Sequence, residues 1–288
     1  MAAIYKREIQ SYFHGVAGYV FCAFILLFAG IYTMVLNLRG GYSEFEYVLS
    51  NMTFIYLIAV PILTMRCIAE ERKSKTDQLL YALPLSMTKI VAGKYLSMIT
   101  VLSVPTVIMA LYPWLLSSFG NVNLKAAYSA LIGFFLLGAA LISIGLFLSS
   151  MTESQVVAAV GTLAVLLIEY FLSSLTGYLG TSALASLAAF TVVVLFITVV
   201  TALLTKNYLA ATIVFLVGEG ALCITAFLDY SLLEGAFPAI LDALGLFTRF
   251  DNFINGIFDI TAILFYLTVI VVFLFLTVQA LEKRRWNA

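Results

Sequence analysis

The sequence predicts an all-α polytopic membrane protein, on three observations. Of 288 residues, 63% are apolar and only 10% are charged. Mean hydropathy is +1.09, which leaves too little polar side chain to clothe a water-soluble domain of this size. The apolar residues also gather into runs long enough to cross a bilayer, whose hydrocarbon core of about 30 Å needs about 20 residues of helix.

Taken in order, the runs give eight expected spans: residues 17–36, 52–69, 90–116, 127–149, 155–176, 183–204, 208–229 and 261–281. The separator between the fifth and sixth, Thr176 to Ser182, is short and weakly polar. The third run is long and holds Pro105 and Pro113. Each proline removes a backbone donor and crowds the preceding turn, so a tilt or kink is expected there.

Basic residues orient the spans. One side collects Lys6, Arg7, Arg66, Arg72, Lys73, Lys75, Lys89, Lys94, Lys206, Lys283, Arg284 and Arg285, and the other only Arg39, Lys125 and Arg249. Twelve against three places both termini in the cytoplasm. Residues 1–8 lead into an aromatic stretch without a small-residue cleavage box, so no cleaved signal is expected.

Several chemistries are excluded. Cys22, Cys67 and Cys223 are odd in number and scattered among apolar residues, unlike a disulfide framework or metal site. His14 is the one histidine. No GxxxxGK[ST] phosphate loop occurs, so the chain cannot cradle a nucleotide in the usual way. A nucleophile–base pair is also missing, and the charges, balanced at zero, form no basic stripe for nucleic acid. The chain is expected to bind no cofactor and to catalyse nothing by itself.

The densest charge lies between spans two and three: Arg66, Glu70, Glu71, Arg72, Lys73 and Lys75. Any multi-span protein carries a basic cytoplasmic loop, and position alone accounts for the bases. The interleaved acids do not serve topology, and they favour an element that grips a partner in water. Leu79, Leu80 and Leu83 give residues 70–83 an apolar side, and Pro84 interrupts before the next helix. A short amphipathic helix at the membrane surface is expected.

Around this cluster, a set of motifs runs along nearly all of residues 4–286. Near the start stand Tyr5-Lys6-Arg7-Glu8, Ser11-Tyr12-Phe13 and Gly18-Tyr19. Then come Pro61-Ile62-Leu63-Thr64-Met65-Arg66 with Ala69-Glu70-Glu71-Arg72-Lys73, and Leu79-Leu80, Pro84, Ile90 and Gly93-Lys94-Tyr95. Later come Gly145-Leu146-Phe147, Ser149-Ser150, Thr152-Glu153, Phe250, Phe253, Gly256, Asp259, Tyr266 and Arg284-Arg285-Trp286. In these the chain resembles the ABC-2 type permeases of the gliding-motility-permease-like branch. The resemblance implies a type V exporter-like transmembrane domain covering 1–288, with residues 4–15 as an amphipathic elbow helix. It further implies that residues 70–88 are a coupling helix docking into a cassette ATPase, which would carry the ATP and Mg. A second permease subunit, identical or related, an extracytoplasmic accessory protein, and lipids are the other implied partners. The setting is a prokaryotic cytoplasmic membrane. Residues 183–229 depart from the six-span pattern by adding two spans.

Two acids fall inside spans. Glu169 lies about 21 Å into span five at 1.5 Å per residue, and Glu219 lies near the middle of span seven between Gly218 and Gly220. Each is a candidate intramembrane polar site, because a carboxylate in hydrocarbon must face the bundle, water or a partner. The plainer reading of each is a neutral carboxylic acid hydrogen-bonded within the bundle. Residues 230–260 carry Glu234, Asp242, Asp251 and Asp259 against Arg249, with Pro238 early and Gly245 midway. One or two short helices at the outer surface are expected, as an exit gate or simply as a lid on the bundle. Three functions remain in view: the transmembrane subunit of an ATP-driven exporter, a membrane anchor for an ATPase doing mechanical or envelope work, and an ion-coupled secondary transporter.

Overall fold

A short helix, α1 (Ala2–His14), leads the chain. Its buried residues, Ile4, Glu8 and Tyr12, recur every four positions and so form one stripe. The structure is a computed structural model that describes residues 1–76, 85–205 and 208–287, and every regular element among them is helical. Helix α2 (Ala17–Tyr32) continues into a π-helical stretch, Thr33–Arg39. Helix α3 (Glu46–Met52), a 3₁₀ turn (Thr53–Ile55), α4 (Tyr56–Thr64) and α5 (Ala69–Lys73) follow one another. Next come α6 (Met87–Met109), α7 (Leu111–Leu116), α8 (Leu124–Met151), α9 (Gln155–Thr176), α10 (Ala183–Thr205) and α11 (Tyr208–Leu228). The chain ends with α12 (Ala236–Leu244), α13 (Leu246–Ile254) and α14 (Ile260–Asn287).

Seven segments among the described residues are long and apolar enough to cross a bilayer: Ala17–Arg39, Glu46–Lys73, Met87–Leu116, Leu124–Met151, Gln155–Leu172, Ala211–Leu228 and Ile260–Arg285. The apolar stretch Ala183–Val199, within α10, is shorter. The multi-pass architecture follows; α10 covers the sixth expected run, but its apolar stretch is not counted among the seven. The second segment starts at Glu46, six residues before the expected 52. Residues 46–52 are helical and bury Val48, Leu49 and Met52, so their pattern extends the span.

The expected irregularity in the third run lies at Pro113. Helix α6 ends at Met109, four residues before that proline, where the missing N–H and the ring would disturb the Met109 carbonyl. Pro105 stays inside α6. The Val101 carbonyl, which a residue-105 N–H would otherwise bond, accepts instead from the Cys22 thiol at 3.7 Å.

The described residues cluster into two compact units: Met1–Glu169 with Leu246–Ala288, and Tyr170–Gly245. Within the first, α8 is the axis, and α4, α6, α13 and α14 all pack on it. Small residues on α8 permit this approach: a Cβ at Gly138 would stand 2.7 Å from the Tyr56 hydroxyl, and one at Gly145 would stand 2.5 Å from Thr64 Oγ1. Tyr56 stacks on Phe134, with centroids 4.4 Å apart, and donates to the Phe134 carbonyl at 3.1 Å. Buried hydroxyls turn back onto their own helices, as Ser143 does to Ala140 and Thr106 to Leu102, which satisfies them where no water is present.

The second unit is built on an α10–α11 hairpin that packs closely at Val194 and Gly218. Gly235, in the left-handed region at φ +67°, turns the chain into α12. Its N–H bonds the Thr181 carbonyl at 2.8 Å, and Phe237 packs edge-on against Phe190 at 5.2 Å.

Candidate functional site

Helix α1 lies along α6, and Gly93 makes the approach possible, since a Cβ there would meet Ile4 at 3.2 Å. The stripe α1 buries has a carboxylate at its centre, Glu8. A buried charge must be paired, and the partner is Lys94, one residue past Gly93 and only 2% exposed. The Lys94 ammonium donates to Glu8 Oε1 at 3.0 Å and to the Cys67 carbonyl at 2.9 Å, and it pairs with Glu71 Oε2 at 2.9 Å. An ammonium has three protons, and here each has an acceptor.

Arg7 closes the figure. Its guanidinium reaches Glu8 Oε1 at 2.6 Å and Glu71 Oε1 at 2.7 Å. Arg7, Glu8, Lys94 and Glu71 therefore form a ring of alternating sign and zero net charge, drawn from α1, α5 and α6. Partial burial works against the Arg7 charge, but the Glu8 and Glu71 carboxylates outweigh it and hold its proton more tightly than usual. Within the ring Lys94 is the buried member, and removing it costs roughly 3–5 kcal/mol because uncompensated carboxylates stay behind; Arg7 is half exposed, so its share is smaller.

Flanking hydrogen bonds fix the same three segments. Tyr12 donates to the Leu63 carbonyl at 3.2 Å, and Tyr5 and Thr100 share a bond of 2.9 Å. Ser149 of α8 accepts from the Ile68 and Ala69 N–H groups at 3.3 and 3.2 Å. These are orphan donors at the start of α5, so α8 caps a helix that has no capping side chain of its own.

The six charged residues expected to engage a motor divide. Arg66, Glu70, Lys73 and Lys75 are exposed, whereas Glu71 is half-buried in the ring and Arg72 is 5% exposed. Lys75 has φ +58°, in the left-handed region, as the chain leaves α5. Leu79, Leu80, Leu83 and Pro84, in the expected amphipathic helix, lie outside the described residues, as does Lys206.

The two intramembrane acids are found in different settings. Glu169, in the first unit, accepts the N–H of Leu246 at 2.5 Å, an orphan donor in the first turn of α13. Tyr266 bonds the Leu246 carbonyl at 2.9 Å, so both polar groups of that residue are held. Helix α13 lays Phe250 and Phe253 on α8 and stacks Arg249 over the Phe265 ring at 4.4 Å. Glu219, in the second unit, is half-buried on α11, and its Oε1 has no hydrogen-bond partner among the described residues. Among the described residues no group of three His, Cys, Asp or Glu side chains could hold a metal ion.

The ring was missed as a site by sequence reasoning, although Arg7, Glu8 and Lys94 all sit in quoted motifs. Two signals could have found it: an acid on the apolar stripe of an amphipathic helix, and a lysine inside a span behind a glycine.

Fold and site together define a multi-pass helical membrane protein whose first helix and second and third segments are joined by an ion-pair ring centred on the buried Lys94. The chain matches the family model described as ABC-2 family transporter protein over residues 37–228, and it belongs to that family of transmembrane ABC-transporter components. Glu71, Lys94 and Glu219 fall within the matched region, while Arg7 and Glu8 precede it. No curated protein and no solved structure matches the chain.

Proposed function

We propose that the chain is the transmembrane subunit of an ATP-driven exporter in the gliding-motility-permease-like branch, with eight spans counting α10 and a type V exporter-like domain. Separate cassette ATPase subunits bind the ATP and Mg and do the hydrolysis, and a second permease subunit completes the assembly. Both termini are cytoplasmic, in a prokaryotic cytoplasmic membrane, on the twelve-to-three distribution of basic residues. Helix α1 is the elbow and residues 70–88 are the coupling region. Residues 230–260 lie outside, where an accessory protein would meet them.

One observation carries this reading. Arg66, Glu70, Lys73 and Lys75 face solvent in both signs, next to a neighbour, Glu71, that ties the same short helix to α1 and α6. A surface that transmits force needs both an exposed face for the partner and an anchor into the bundle, and here they are adjacent residues. Glu169 serves the exporter by holding α13, and Glu219 stands as the polar group on the route or at the subunit interface.

The test is purification from the native membrane in a gentle detergent or nanodisc, with mass spectrometry of the proteins retained. A cassette ATPase is expected at 1:1. The double reversal Glu70→Lys with Lys73→Glu should lower its recovery by about tenfold, close to the 1.4 kcal/mol that one decade in binding represents, while membrane insertion is kept. Repeated recovery of the intact chain without any ATPase would overturn the reading.

A further inference from the structure

Helix α11 leaves Glu219 without a partner where one is needed. The helix has 21 residues, about 31 Å at 1.5 Å per residue, and Glu219 falls at its middle. Its Oε1 is buried and has no hydrogen-bond partner among the described residues. The residue as a whole is half-buried, so its carboxyl is within reach of the helix surface. Acyl chains offer neither donor nor acceptor, and a lipid covering would leave that carboxyl unpaired at the depth where this costs most. A polar group on another protein surface resolves the problem.

The two flanking glycines say which side of α11 is free within its own unit. A Cβ at Gly218 would stand 2.7 Å from Val194 of α10, whereas one at Gly220 would meet nothing within 4 Å. At about 100° per residue the two glycines face nearly opposite ways. On the Gly220 side, Ile213, Leu216, Gly220, Cys223 and Phe227 recur at alternating spacings of three and four, the 3.5-residue period of a coiled-coil seam. Ile213, Leu216 and Phe227 are 62%, 63% and 92% exposed, and Cys223 is exposed as well. Glu219 flanks this seam, one residue before the glycine.

In such a seam each residue enters a hole framed by four residues of the facing helix. The hole opposite Gly220 is framed by Leu216, Glu219, Gly220 and Cys223 of the facing copy, and a glycine leaves it unfilled. Glu219 has room to turn into that space. A two-fold contact puts the same residue on both sides, and a protonated carboxyl both donates and accepts, so the acid is its own complement. Close approach over small residues is also how helices associate in lipid.

We propose that α11 is the contact surface between two copies of this chain, with the Gly220 layer at its centre and the two Glu219 carboxyls hydrogen-bonded across it. On this assignment, which takes the second permease subunit from the reading above, that subunit is an identical chain and Glu219 belongs to the interface, not to the route.

Copper-phenanthroline oxidation of the full chain in its native membrane tests it, with the native Cys223 as reporter. A disulfide needs Cα atoms about 4.4–6.8 Å apart, which facing seam positions satisfy. A Cys223–Cys223 dimer is expected. The yield should persist when the cysteine moves along the seam (Cys223→Ser with Phe227→Cys) and fall several-fold when it moves off it (Cys223→Ser with Thr225→Cys). The dimer dissociation constant in detergent, read by fluorescence transfer, should rise about tenfold for Glu219→Ala, or 1.4 kcal/mol. It should stay near the parent value for Glu219→Gln, whose amide also donates and accepts. Absence of the Cys223–Cys223 product, equal yield at 225, or a disulfide from Cys223 to Cys22 of the same chain would overturn the proposal. So would Glu219→Ala dimerising like the parent, or Glu219→Gln weakening as much as Glu219→Ala. A cassette ATPase recovered with a chain that does not self-cross-link would fail this interface and leave the exporter reading standing; a self-cross-linked chain without an ATPase would do the reverse.

Discussion

The segments Glu46–Lys73 and Ala211–Leu228 are equally apolar, with mean hydropathies of 1.9 and 2.0 over an 18-residue stretch of each, yet 72% of that stretch is buried within the protein in the first and 6% in the second. Hydropathy therefore reports that a segment can enter a membrane, not whether its neighbours there are protein. The difference lies in what the segment meets. Within the first unit, Tyr56 and Thr64 are received by glycines on α8, and hydroxyls and aromatic rings interlock across the contact. Within the second unit, α11 presents Leu216, Val217 and Ile224 outward, and Phe227 is 92% exposed. One surface has the shape of a protein core and the other the chemistry of a surface that lipid or another subunit covers.

Three measurements would sharpen or break this contrast. The largest effect should come from Lys94→Met, which leaves Glu8 and Glu71 facing each other with Arg7 alone. A loss of roughly 3–5 kcal/mol should appear as a lower unfolding midpoint in detergent, and adding Glu71→Gln should recover part of it. No change in the midpoint would mean that the ring is not what holds α1 to α6. Next, Gly145→Ala and Phe227→Leu should differ sharply. The new methyl at 145 would meet Thr64 Oγ1, Cγ2 and Cβ within 3.0 Å, and overpacking of that kind costs about 1–3 kcal/mol. The change at 227 should stay within about 0.5 kcal/mol. Equal effects would erase the contrast between the two segments.

The smallest effect concerns Asp259, which starts α14 by accepting from the Thr261 N–H at 2.8 Å and from Asn252 at 2.7 Å. The Asn252 bond, with the backbone donors behind it, holds this carboxyl below its ordinary 3.8. A lowered folded value means that the stabilisation is present above 3.8 and is lost as the pH falls through and below it. Asp259→Asn should accordingly lower the unfolding midpoint slightly at neutral pH, and the difference from the parent should vanish in acid. A difference that persists there would assign the effect to something other than the carboxylate.

Much of the framework was legible because it depends on local composition. The apolar runs match the helical segments to within a few residues, and Pro113 ends α6 as its chemistry requires. Gly245 separates two short helices in the 230–260 region, as its position suggested. The site was less legible. Lys94 reads from sequence as one more basic residue on the cytoplasmic side, because its carboxylate partner Glu8 is 86 residues away and no helical period connects them. Glu70 and Glu71 are identical side chains in adjacent positions, and it is contact with Arg7 and Lys94, from helices distant in sequence, that distinguishes the inward one from its exposed neighbour. Glu169 gave no hint that its acceptor role would be the first turn of a helix 77 residues later.

The ring also sets an order on biosynthesis. On the proposed orientation, Arg7 and Lys94 count during insertion as two separate cations that favour the cytoplasmic side. Once they meet Glu8 and Glu71, that pair of charges is neutralised. At about 5–20 residues per second, the stretch between Glu8 and Lys94 takes roughly 4–17 s to synthesise. For that interval the first helix has no lysine to close on, so the ring forms only after the third segment has been synthesised.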